Sequence, residues 1–244
     1  AGNANDAASN TVTIAVDTVE PTITIASDVS SLKVGETATL TISLTEASTD
    51  FAQGDLTVTG GTITAFSGSG TSYTATFEPT DGITGNAQIS VNPSRFTDAA
   101  GNANDAASNT VTIAVDTTEP TITIASDVSS LKVGETATLS ITLSEASTDF
   151  ASGDLTVTGG NITAFSGSGT SYTATFTPTD DSNADGVISV SSPKFTDAAG
   201  NANNAASNTV IIAVDTVEPK IRIVSDVSEL KVGETATLTI TLSE

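Results

Sequence analysis

The chain has 244 residues, of which 29 are acidic and 7 basic, giving a formal net charge of −22. Phosphate binding draws on clustered Lys and Arg, so nucleic acid and anionic membrane surfaces are poor partners for it. It contains no Cys, His, Met or Trp, so no disulfide can form and neither Ser–His nor Cys–His nucleophilic chemistry can be assembled.

The string AGNANDAASN begins at Ala1 and again at Ala100, and returns as AGNANNAASN at Ala199, a period of 99 residues. A unit of this length is the size of one small domain. Residues 1–17 read as the end of a truncated repeat, its last loop and strand. Residues 18–116 and 117–215 read as complete repeats, and 216–244 as the first two strands of another. The copies diverge most at residues 82–88 against 181–187, where all positions differ. No apolar run approaches the ~20 residues of a membrane span and no signal-peptide pattern is present. The sequence opens inside a loop and stops inside a strand.

In chain order, the first complete repeat predicts strands at 22–26, 37–45, 56–59, 62–67, 72–77, 88–92 and 110–115. Each is short, rich in Thr, Val and Ile, and alternates apolar with polar residues, the period of a strand with one buried face. Leu40, Ile42 and Leu44 alternate with Thr39, Thr41 and Ser43; Val12, Ile14 and Val16 alternate in the same way in the truncated repeat. Val34-Gly35-Glu36, Gly60-Gly61, Gly68-Ser69-Gly70 and Asp81-Gly82 punctuate the strands as turns. With no helix signal, the fold class is all-β: tandem immunoglobulin-like β-sandwich repeats stacked end to end as a rod. The predicted core is Ile23, Ile25, Leu40, Ile42, Leu44, Leu56, Val58, Ile63, Phe66, Tyr73, Phe77, Ile89, Val91, Phe96, Val111, Ile113 and Val115. Aromatics make up 4% of the chain, so this core is aliphatic and modest, with little margin and a use for an added stabiliser such as a metal.

Successive repeats are joined by Val16-Asp17-Thr18-Val19-Glu20-Pro21, with no Gly/Ser-rich spacer. Pro21 and Pro120 hold the preceding Glu extended. In a sandwich of this type the first strand starts at the end where the 45–51 and 96–105 loops cluster. Asp17, Glu20, Glu46 and Asp98 are therefore expected to converge, with Asn102 and loop carbonyls nearby and Asp50 and Asp105 further out. The second repeat supplies Asp116, Glu119, Glu145, Asp197 and Asn201. Ca2+ takes six to eight hard oxygens, whereas zinc and copper favour the His and Cys that are lacking here. Crowded carboxylates repel until a divalent cation reverses the sign, so calcium is expected to lock these seams. The opposing interpretation is that the acids are solvated turn residues. A second calcium candidate is Asp181, Asn183 and Asp185, in a D-x-N-x-D-G spacing that lacks both the terminal Glu and the helices of an EF-hand loop; an ordinary polar turn explains it equally well.

The run Pro120–Asp127 with Leu131-Lys132-Val133-Gly134-Glu135-Thr136, Leu143-Ser144-Glu145 and Phe195-Thr196-Asp197-Ala198-Ala199-Gly200-Asn201 resembles the bacterial immunoglobulin-like extender repeats of giant RTX-type adhesins. The resemblance covers the whole chain. It implies a calcium-rigidified extender that holds a ligand-binding region away from the cell, secreted by the type I route to the bacterial surface. It also implies junction ligands at Asp116, Glu119, Glu145, Asp197 and Asn201. The expected partners are neighbouring repeats of the same chain in a monomeric rod. The rival is a module that contacts ice or glycan directly, through arrays such as Thr22-Ile23-Thr24 and Thr39-Leu40-Thr41. Outward-facing strand Thr explains these arrays more simply, and no Trp offers a sugar platform. Catalysis is not expected: paired carboxylates can hydrolyse glycosides, but these recur at every seam.

Overall fold

The computed structural model describes residues 1–4 and 8–243. It divides into two compact units, Ala1–Thr118 and Glu119–Glu244. Residues 5–7, in the first predicted loop, and Glu244 lie outside the described residues.

The first unit is a two-sheet sandwich. One sheet has the order β1 (Ile23–Ser27), β3 (Ala38–Ser48), β5 (Gly61–Pro79). The other has the order β2 (Ser31–Lys33), β7 (Val111–Asp116), β6 (Thr84–Val91), β4 (Leu56–Thr59). All pairings are antiparallel except β2 with β7, which is parallel and sets Leu32 beside Val115. The second unit repeats the plan. Its sheets are β8 (Ile122–Ser126), β10 (Ala137–Ser147), β12 (Gly160–Pro178), and β9 (Ser130–Lys132), β14 (Val210–Asp215), β13 (Gly186–Val190), β11 (Leu155–Thr158). A two-stranded pair, β15 (Ile221–Ser225) with β16 (Leu238–Leu242), follows.

Alternation dictates these faces. In β3, Ala38, Leu40, Ile42 and Leu44 are buried while the intervening Thr and Ser are exposed. Ile25 pairs with Ile42, and Ile42 with Tyr73, so one apolar layer crosses the three-stranded sheet. Ile89, Val91, Ile113 and Val115 face it from the other sheet and are at most 2% exposed. At the free edge of β1, the Asn109 amide takes the place of a strand. Its Oδ1 accepts the Ile25 N–H at 2.9 Å and its Nδ2 donates to the Ile25 carbonyl at 2.8 Å. Edge strands left open invite further pairing, and Asn208 closes β8 through Ile124 in the same way.

Several sequence expectations need correction. The predicted strands at 62–67 and 72–77 form one run, β5, that doubles back. A Cβ on Gly61 would lie 2.3 Å from the Glu78 carbonyl, and the Ser67 and Thr74 hydroxyls are 3.0 Å apart. The strand β2 was absent from the prediction because three residues are too few to show a period. Leu32, Ala38, Phe51, Ala75 and Ala87 join the core, whereas Leu56, Val58, Ile63, Phe66 and Val111 are only partly buried against it. Residues 11–16 form no strand, and Val12, Ile14 and Val16 are exposed. Their repeat equivalent, β7, is held between β2 and β6. The only helical turns among the described residues are the 3-10 turns Gln53–Asp55 and Ser152–Asp154.

Candidate metal centre

The site in the first unit is built from three segments. Glu46 lies near the end of β3, in a stretch where pairing jumps from Ser43↔Ser72 to Ser48↔Gly70. Five residue steps on β3 (43 to 48) thus span two steps on β5 (70 to 72), and this bulge frees the stretch carrying Glu46 from the β5 ladder. Asp98 sits in a turn closed by an isolated antiparallel bridge between Thr97 and Ala103. Its Oδ1 accepts the backbone N–H groups of Ala100 at 2.8 Å and Asn102 at 2.9 Å, and its Oδ2 accepts Asn102 Nδ2 at 2.8 Å. Asp17 belongs to the segment that leads into β1. Its Oδ1 accepts the Val19 N–H, and its carbonyl accepts Asn102 Nδ2 at 3.3 Å.

These segments bring one carboxylate oxygen each from Asp17, Glu46 and Asp98 within 4.8 Å of one another. Asp98 is 5% exposed, Glu46 half-buried and Asp17 exposed. The electrostatics of the group are divided. The Asn102 side chain leads the donors that hold the Asp98 carboxyl below its ordinary value. Glu46 is pushed upward by burial, then by its hydrogen bond to Asp98 and the charges of Asp17 and Asp98. Protein donors thus lower one carboxyl while burial and like charge raise the other beside it, the pattern expected of like charges that share a site.

Of the residues expected at this end of the first repeat, Asp17, Glu46, Asp98 and Asn102 come together. Glu20 and Asp105 are exposed and stand outside the trio. Asp50 serves a different purpose: both of its carboxylate oxygens bind Thr97. In the second unit, Asp197 repeats the turn of Asp98. Its Oδ1 accepts the N–H groups of Gly200 and Asn201, and its Oδ2 accepts Asn201 Nδ2 at 2.9 Å. Its carboxylate and that of half-buried Glu145 approach within 4.8 Å. Glu119 accepts a hydrogen bond from Asn204. In the first unit, Asp116 ends β7 and accepts the Thr84 hydroxyl at 3.0 Å.

The 181–186 loop takes a different form. Asp181 adopts a positive φ of 52°. Asn183, with its amide nitrogen turned toward acceptors, donates to Asp215 Oδ1 at 3.2 Å and to the Ser182 carbonyl at 3.3 Å. Asp181 and Asp180 line a cleft of about 440 Å³ with Thr216, Glu218, Lys220 and Val133. Asp185 is exposed immediately before β13.

Sequence reasoning missed the buried asparagines. Asn104 is 0% exposed. Its Oδ1 accepts the N–H groups of Arg95 and Phe96, and its Nδ2 donates to the carbonyls of Asn92 and Ala106. It thereby fixes the segment that leads to Asp98. Its position in the string GNAN, two residues after Asn102, was the available signal.

Two stacked sheets of this topology, repeated in tandem, define an immunoglobulin-like sandwich. The bacterial Ig-like domain family matches residues 17–115 and 116–214, and the chain belongs to that family. No curated protein matches it. Among solved structures it is similar to FdeC, an Escherichia coli adhesin, at 18% identity and a TM-score of 0.35, covering 91% of this chain and 72% of that one. It is also similar to the adhesin InvE of Yersinia pseudotuberculosis, at 16% identity and a TM-score of 0.30, covering 80% of this chain and 59% of that one. InvD of the same organism matches at 14% identity and a TM-score of 0.31, covering 83% of this chain and 62% of that one. No helix among the described residues is long and apolar enough to cross a membrane.

Proposed function

We propose that this chain is a non-catalytic extender segment of a secreted bacterial surface adhesin, in which calcium bound at the acidic seams stiffens a row of sandwich domains. The observation that carries this reading is the trio Asp17, Glu46 and Asp98, whose oxygens lie within 4.8 Å of one another, with burial and the neighbouring carboxylates raising the Glu46 carboxyl above its ordinary value. A divalent cation relieves that conflict. The donors are all hard oxygens, three carboxylates with the Asn102 amide beside them, which suits Ca2+ and offers zinc or copper no soft ligand.

The position of the trio supports a mechanical role. Asp17 is the first residue of the first family match, and Glu46 and Asp98 belong to the bulged end of β3 and to a turn of the same domain. A cation shared among them ties the entering chain to the domain it enters. The matches end at 115 and resume at 116 with no spacer between them. Asp116, Glu145 and Asp197 stand 99 residues after Asp17, Glu46 and Asp98, so the same role is assigned to them by repetition. The resemblance to extender repeats of giant RTX-type adhesins agrees with this reading and adds type I secretion to it. Both tyrosines are buried, Tyr73 at 4% and Tyr172 at 6% exposed, which leaves no tyrosine platform for a sugar.

Small-angle scattering of the chain in calcium and after chelation tests the proposal. Chelation is expected to broaden the distance distribution as the seams loosen. Superimposable profiles in the two conditions contradict it.

A further inference from the structure

We infer that Asp50 and Asp149 are positioning residues for the calcium centres, clamping two loops so that the metal-binding carboxylates face each other before any ion arrives. This rests on the calcium reading above and adds residues that do not themselves bind the metal.

The geometry begins at Ser48, a 2% exposed residue at the end of β3 and two residues beyond Glu46. Its hydroxyl donates to Asp50 Oδ1 at 2.7 Å and accepts the Phe51 N–H at 3.2 Å. Asp50 then crosses to the other loop. Its Oδ1 accepts the Thr97 N–H at 2.9 Å and its Oδ2 accepts the Thr97 hydroxyl at 2.8 Å. Thr97 is the residue immediately before Asp98. One carboxylate therefore joins the segment carrying Glu46 to the segment carrying Asp98.

The clamp is anchored from below. The Tyr73 hydroxyl donates to the Ser48 carbonyl at 3.0 Å. The Phe51 ring meets Tyr73, Phe66 and Phe96 edge-on, with centroids 5.0 to 5.7 Å away. The second unit builds the same device: Asp149 accepts the Thr196 N–H at 2.9 Å, the Thr196 hydroxyl at 2.7 Å and the Ser147 hydroxyl at 2.7 Å. Without such a tie, two loops bearing like charges would move apart, and the ion would have to reassemble them at the expense of its affinity. Groups that orient metal ligands commonly cost ~10–100-fold in affinity when removed.

The test uses the 244-residue chain carrying D50N and D149N together, with T97V and T196V together as a milder pair that removes only the hydroxyl donors. Calcium is titrated calorimetrically into each variant and the parent, and each is unfolded with denaturant in chelator and in saturating calcium. The clamp is expected to weaken calcium binding by ~tenfold or more in D50N/D149N and less in T97V/T196V. The loss of stability should then be larger in calcium than in chelator, because a weaker Kd lowers the stabilisation that binding confers. A parent that binds calcium and variants that bind it equally tightly, with equal stability losses in both conditions, overturn the clamp and leave the calcium reading standing. A parent that binds no calcium overturns both.

Discussion

The hydroxyl of Tyr73 donates to the main-chain carbonyl of Ser48 at 3.0 Å, fastening the core of the first sandwich to the bulged end of β3. The bond is buried, and Tyr172 repeats it with Ser147 at the same distance. Removing the hydroxyl leaves a buried carbonyl short of a donor. Y73F is therefore expected to cost about 1 kcal/mol, the usual net value of a buried hydrogen bond, with the ring packing retained. Denaturant unfolding in chelator measures it. A change near zero would mean that the Ser48 carbonyl finds another partner.

Asn104 is expected to be far less tolerant. Its side chain makes four hydrogen bonds to backbone groups around the turn. N104A strands two N–H groups and two carbonyls, and each buried group left unpaired costs about 1–3 kcal/mol. A loss of about 3 kcal/mol or more in the first unit is expected, accompanied by weaker calcium binding there because Asp98 follows this segment.

Gly61 is closed to any side chain. A Cβ there would sit 2.3 Å from the Glu78 carbonyl and 2.5 Å from the Phe77 ring, so G61A must shift either a backbone strand or a fully buried aromatic. Overpacking of this kind costs about 1–3 kcal/mol. At Gly54 an added Cβ meets nothing within 4 Å, so G54A serves as the control, and equal unfolding midpoints for the two variants would contradict the hairpin geometry.

The clamp carboxylates set an acid limit on stability. Burial alone would lift the Asp50 carboxyl, but the hydrogen bonds from Thr97 and Ser48 outweigh it and hold the group below its ordinary value; Asp149 behaves alike. A carboxyl depressed in the folded state contributes stability that is complete above its unfolded value and is lost as pH falls through the folded value. In chelator, the parent is expected to lose stability steeply below about pH 4, the ordinary carboxylate range. D50N/D149N should start lower and fall less over the same interval. Parallel curves would show that these groups do not titrate as the geometry requires.

Much of this was legible in the sequence because strand alternation is local. Thr39-Leu40-Thr41-Ile42-Ser43-Leu44 announces both the strand and its buried face, and the 99-residue repeat confirms each element twice. The convergence of Asp17, Glu46 and Asp98 was also within reach, since it follows from which end of a sandwich its loops and linker share. What stayed hidden depends on side chains that act as backbone. Asn109 completing the edge of β1, Asn104 filling a turn, and Asp50 spanning two loops are contacts between residues up to 84 apart in the chain. No periodicity encodes them. Phe51 was missed for a related reason: it lies in a loop, and only the ring cluster with Phe66, Tyr73 and Phe96 reveals it as core.

The bound ion itself is the most direct evidence to seek. Crystals of the chain grown in calcium, with anomalous scattering recorded from the ion, are expected to show a peak bonded to oxygens of Asp17, Glu46 and Asp98 at ~2.3–2.6 Å. Clear density for those three side chains with no anomalous peak among them, at saturating calcium, would contradict a metal centre at the entrance to the domain.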